Sequence, residues 1–414
     1  MKMKKLRYFG MILCSLAAVY SCGLLDDPEN NNNQDPDEND PSEAEVLQGK
    51  VDETAKELMD ELDLSNWNNA MDFADRFGNY LSDMTERDDD SLDAFGDWLD
   101  DMGDAMTQTS GSTTKTVIAL SALKGGTFEE VNGKLTYKSN NKDELRIVVY
   151  PSGKASSAVV TYGPDGDEYE IKDEDATRDK EDDPVFVKIP QWIQVQMLDG
   201  NTTRISIRLD PTVTDTNKDK VLDINVDRIG AKATITIEDY SLEVNEIGMD
   251  GSTKVTVSYV LKRGQKTLID FSLSGKRDSQ GDLRNSDINA DFLGKIQIKG
   301  TMDVAKFEEY SDACDDNATN ESVFKSNLNK LNNTIDLTMY CTGLKKGQAK
   351  VKFEAFKEDG GMEWYALPVF NYSDGTSQSW AEFSDNEQIR SLSDKFTKWL
   401  DKISARLDKA LGVD

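Results

Sequence analysis

The chain has 414 residues, with 78 acids against 48 bases, no histidine and a net charge of −30. Without histidine it can hold no Ser-His-Asp or Cys-His nucleophile pair and no His-ligated zinc, and it lacks the side chain that most often moves protons near neutral pH. So negative a surface repels nucleic acid and anionic headgroups. A non-enzymatic protein without a cofactor is the leading class, with a carboxylate-based glycoside hydrolase as the catalytic alternative.

Residues 1–21 read as a signal peptide: Lys2, Lys4, Lys5 and Arg7 precede an apolar run from Tyr8 to Tyr20. The run is shorter than the roughly 20 residues a spanning helix needs. Ser21-Cys22-Gly23 resembles the lipobox of bacterial lipoproteins, with Tyr20 bulkier than usual. The resemblance implies acylation of the Cys22 thiol, which would make it the new N-terminus. An ordinary cleaved signal is the alternative. Acyl chains contribute about 0.8 kcal/mol per buried methylene, enough for two or three to hold a soluble domain on a membrane.

Residues 22–41 form an acidic segment without an aliphatic or aromatic residue between Asp26 and Asp40, expected to be a disordered tether. Asp26-Asp27 resembles the signal that exports lipoproteins of Bacteroides-type bacteria to the outside of the outer membrane; a periplasmic lipoprotein is the alternative. Removing the signal takes four bases and no acid, leaving 78 acids and 44 bases, or −34.

Residues 42–106 read as an acidic helical region. Ser42 and Glu45 form a capping box, followed by Leu47, Val51, Ala55, Leu58 and Leu62 at helical spacing. Trp67 to Met84 carries a second apolar stripe, and Leu92, Phe95, Leu99, Met102 and Met106 a third. A Ser/Thr/Gly linker is expected at Thr107–Thr116. From 117 to 385 the period becomes two, as in Ile205, Ile207 and Leu209, or Val255, Val257, Tyr259 and Leu261. One apolar and one polar face per strand predicts antiparallel sheet. A helical insertion is expected near 321–331, and residues 386–412 repeat apolar positions from Ile389 to Leu411 as one C-terminal amphipathic helix. The predicted fold is α+β: N-terminal acidic helices, a large curved antiparallel sheet, and the C-terminal helix packed on that sheet.

Several segments carry a resemblance together. Val51-Asp52-Glu53-Thr54-Ala55-Lys56-Glu57-Leu58-Met59, Leu268-Ile269-Asp270-Phe271-Ser272-Leu273-Ser274-Gly275, Gly294-Lys295-Ile296-Gln297-Ile298-Lys299-Gly300-Thr301 and Lys350-Val351-Lys352-Phe353-Glu354-Ala355-Phe356 are similar to uncharacterised cell-surface lipoproteins of gut Bacteroides-type bacteria. The resemblance implies a surface location and brings no catalytic motif.

Four local features bear on function. Cys314 and Cys341 remain after Cys14 leaves and Cys22 is acylated, and an oxidising destination favours a structural disulfide between them over two separate buried thiols. Asp215, Asn217, Asp219 and Asp223 fall at the first, third, fifth and ninth positions of a calcium-like loop. Lys220 replaces its glycine and Val226 its terminal acid, so a plain polar loop is favoured. Asp90-Ser91-Leu92 matches a short O-glycosylation sequon at Ser91, which is equally a helix N-cap. Trp364, Tyr365, Phe370, Tyr372 and Trp380 offer a glycan-stacking platform, or core packing. The functional expectation is an outer-membrane surface lipoprotein that binds a glycan, lipid or protein. The alternatives are an apolar-ligand carrier with a cavity under the sheet and the glycoside hydrolase.

Overall fold

The computed structural model describes residues 41–62, 65–87, 107–110, 113–119, 121, 125–140, 144–171, 185–222, 226–250, 254–278, 283–357 and 360–379. In chain order the described elements start with helices α1 (Glu43–Glu61) and α2 (Ser65–Arg87). Strands β1 (Thr107–Ser110), β2 (Thr113–Ala119), β3 (Gly126–Val131), β4 (Lys134–Ser139), β5 (Glu144–Val149) and β6 (Ser156–Tyr162) follow. Next are β7 (Asp165–Ile171), β8 (Val185–Pro190), β9 (Ile193–Asp199), β10 (Thr202–Thr214) and β11 (Val221–Leu222). Long hairpin strands come after them: β12 (Arg228–Ile237), β13 (Tyr240–Asp250), β14 (Lys254–Arg263), β15 (Lys266–Arg277), β16 (Leu283–Phe292) and β17 (Ile296–Met302). Helices α3 (Val304–Asp315) and α4 (Glu321–Asn332) precede β18 (Ile335–Cys341), β19 (Gln348–Phe356), β20 (Tyr365–Tyr372) and β21 (Ser377–Ser379). The fold is α+β and mostly sheet, as expected.

The chain divides into two compact units, residues 63–283 and residues 1–62 with 284–414. The 63–283 unit has a main sheet in the order β15-β14-β13-β12-β10-β9-β6-β5-β3-β4 and a small one in the order β1-β2-β8-β7-β11. The main sheet is antiparallel except where β3 meets β5. Helix α2 lies on one face of it. Phe77 and Met84 pack with Phe128, Leu135 and Val149, and Ala70 packs with Ile205 and Ile237. These side chains follow the three- and four-residue steps of the expected stripe, which is why the helix buries them together.

The other unit runs β21-β20-β19-β18-β17-β16, its described strand pairs all antiparallel. Helix α1 begins with the expected box: Ser42 Oγ accepts from the Glu45 N–H at 3.2 Å, and Glu45 Oε2 accepts from the Ser42 N–H at 2.8 Å. Its buried Leu47, Ala55 and Leu58 face inward, and it contacts β17 and β18. Helices α3 and α4 close a second core, with Phe324, Leu328 and Leu331 against Phe307, Phe353 and Trp364.

Two expectations need correction. The Thr107–Thr116 linker is a hairpin of β1 with β2, because its threonines are β-branched and suit a pleated surface. The helices expected as one region at 42–106 are shared out, α1 to one unit and α2 to the other. The helix expected near 321–331 is present as α4, and a further helix, α3, precedes it. The third expected helix and the C-terminal helix at 386–412 lie outside the described residues.

Candidate functional site

The main sheet of the 63–283 unit has an apolar face built in register. Ile207, Ile235, Leu242, Leu261 and Ile269 stand opposite one another across β10, β12, β13, β14 and β15. The next row is Leu209, Ala233, Val244, Tyr259 and Phe271, and the one beyond it Pro211, Ala231, Ile247, Val257 and Leu273. A bulge at Asn245 lets Val244 and Ile247, three residues apart, share this face. The opposite face is polar, with Arg208 paired to Asp210 at 2.8 Å and Lys262 to Glu243 at 2.5 Å.

Coverage of the apolar face is uneven. Along β15, Phe271 and Leu273 are buried, and α2 covers the corner at Ile205 and Ile237. Between them Ile207, Leu209 and Ile247 are 41%, 37% and 51% exposed. Arg208, between the first two on the polar face, is half-buried. Burying an aliphatic side chain of this size stabilises by about 1.5–3 kcal/mol, so leaving three of them wet forgoes several kcal/mol. Clustered exposure of this kind marks an interaction surface more often than isolated apolar residues do.

The sequence-predicted residues fall elsewhere. Cys22, Ser91, Asp223 and Trp380 lie outside the described residues. In the calcium-like loop, Asp215 accepts from the Lys220 N–H at 2.9 Å and the Asp219 N–H at 3.3 Å, and Asp219 accepts from the Val221 N–H at 3.0 Å. Burial pushes the Asp215 carboxyl up, but these backbone N–H groups outweigh it and hold it below its ordinary value. Lys220 reaches Asp167 at 2.7 Å. The loop is therefore a hydrogen-bonded turn with its own lysine beside it, Asn217 is exposed, and among the described residues no group of three acids, cysteines or histidines is placed for a metal.

The expected disulfide is corrected as well. Cys314 and Cys341 are free and buried in different places. Cys314 packs with Phe324, Leu328 and Leu331, whereas Cys341 Sγ lies 3.9 Å from the Val46 carbonyl oxygen on α1. Cys341 ends β18 while α4 leads into its start, a separation of about 20 Å along the strand. A disulfide needs Cα atoms within about 7 Å. Burial, with Asp315 adding to it, pushes the Cys314 thiol up to about 11.

The aromatic platform does not assemble. Phe370 and Tyr372 are core residues, Tyr365 is exposed, and half-buried Trp364 packs onto the α3–α4 core. Lys325 and Lys357 lie over the Trp364 ring at 4.7 and 5.5 Å. The alternation of β20 sends Tyr365 and Phe370 to opposite faces.

No family model, curated protein or solved structure matches the chain.

Proposed function

We propose that this is a non-enzymatic binding or accessory lipoprotein, held at the outer-membrane surface by acyl chains on Cys22, and that the open apolar face of β10 to β14 is its binding surface. The observation that carries this reading is the exposure of Ile207, Leu209 and Ile247 within a lattice that is apolar in every row. The ordered partner is a protein with an extended apolar surface of its own. An open face leaves one side of a small ligand in water, whereas ligand sites normally enclose most of the molecule. Curvature of the sheet, and a helix over 386–412 packed on the sheet of its own unit, belong to the same reading.

The test places a photo-crosslinking amino acid at position 247, or at 243 on the polar face, in cells making the full chain. A protein adduct of discrete mass from 247 and not from 243 supports the reading. Equal yields from both, or no adduct from 247, contradict it. Native mass spectrometry of the purified protein separates the carrier alternative, which requires a copurifying apolar molecule. Metabolic labelling with an alkyne fatty acid tests the anchor, and label that persists in Cys22→Ala contradicts it.

A further inference from the structure

We infer that the partner on the open face of β10 to β14 is a second copy of this chain, its own open face packed against the first to make a two-sheet sandwich. The inference rests on the binding reading above and commits it to one partner.

The face suits its own copy. A fourth row, Val213, Ile229, Met249 and Val255, continues the three already described. Across the four rows on β10, β12, β13 and β14 no side chain is charged, and the only hydroxyl is that of Tyr259, whose ring packs on Phe271 with 5.1 Å between ring centres. A two-fold contact sets each patch against itself, so any charge on it would meet its like. This face has none to bring together.

The charge that would oppose pairing stands away from it. From Thr202 to Arg277, the span of β10 to β15, eleven acids meet twelve bases, a net of +1 in a chain that carries −34 once its signal is removed. The acidic run from Asp88 to Asp104 leaves α2 at the end where Met84 packs with Phe128, Leu135 and Val149. In the sheet order β10-β9-β6-β5-β3, β3 stands about 19 Å from β10, against a screening length of about 8 Å. Unlike partners are commonly selected by complementary charge, and a span at +1 offers little of it.

Layering and size agree. Stacked sheets lie about 10 Å apart and a helix is about 10 Å thick, so the second sheet lies level with α2 and beside it, over the part of the face that α2 leaves open. Four strands by seven residues measure about 450 Å² per copy, or about 900 Å² for the pair. That is the low end of specific contacts, so the pair is weak in free solution. The proposed anchor confines copies to one surface and raises their effective concentration.

The test makes two differently tagged full-length copies in the same cells, one of them with the photo-crosslinking amino acid at position 247. The expected adduct has twice the mass of the chain and carries both tags. Leu209→Lys in the second copy should cut its yield at least about fivefold, because a leucine contact is replaced by a charge. Ile247→Ser in the second copy should lower it too, and Thr234→Lys, exposed on the polar face, should leave it unchanged. A discrete adduct with a different protein overturns this inference and leaves the binding reading standing. A two-tag adduct that Thr234→Lys reduces as much as Leu209→Lys places the contact elsewhere and overturns the inference as well. No adduct, or one confined to a single chain, overturns both.

Discussion

Lys295 Nζ, in the turn between β16 and β17, lies 2.5 Å from Glu53 Oε1 on α1 and also bonds Glu57 one helical turn further on. A single cation thus ties two successive turns of α1 to the sheet of its unit.

This tie should show in the acid limb of stability. Lys295 and then Lys50 hold the Glu53 carboxyl at about 2, below its ordinary 4.5. A depressed carboxylate contributes stability above its unfolded pKa and loses it as pH falls through the folded one. The contribution should be complete above about pH 4.5 and fade toward pH 2. Urea midpoints across that window should fall less steeply for Glu53→Gln than for wild type. Equal slopes would show that the contact adds nothing.

Cys314 and Cys341 should behave as two shielded thiols. Both are at most 2% exposed, and burial raises the pKa of each. A thiol reagent at pH 8 should find no fast-reacting thiol among these two in native protein lacking Cys14 and carrying Cys22→Ala. It should find two after unfolding without reductant. None after unfolding would mean a disulfide.

Gly300 should be intolerant of any side chain. Its φ is 152°, and an added Cβ would collide with the Asp336 carbonyl oxygen on β18. Gly294, at φ 67°, meets nothing within 4 Å. Gly300→Ala should therefore cost well over about 1 kcal/mol, and Gly294→Ala roughly 1 kcal/mol from the left-handed backbone alone. Equal losses in chemical denaturation would contradict the contact.

The parts of the fold legible in the sequence are those whose pattern is unbroken. The Ser42–Glu45 box and the stripe from Leu47 to Leu58 announce α1, and strict alternation announces β10, β14 and β15. Strand β13 escapes because the bulge at Asn245 shifts its apolar phase between Val244 and Ile247. Helix α3 escapes because acids crowd the positions between Phe307, Tyr310 and Cys314. The open apolar face is half legible. Alternation places Val257 and Leu273 on an apolar face, but exposure depends on what other segments pack above, and no local period records that. The two cysteines misled for a related reason, since parity turns Cys341 inward without saying what lies opposite.

Ile247 and Leu273 stand in one row of the sheet, the first 51% and the second 2% exposed. If the face at Ile247 is surface, a lysine there can extend into water, whereas a lysine at Leu273 must bury its charge or unfold its surroundings. Urea unfolding of the two single variants is the most direct measurement. Ile247→Lys should lie within about 1 kcal/mol of wild type, and Leu273→Lys should lose at least about 3 kcal/mol. A loss at Ile247→Lys as large as at Leu273→Lys would show that the face is core and not a binding surface.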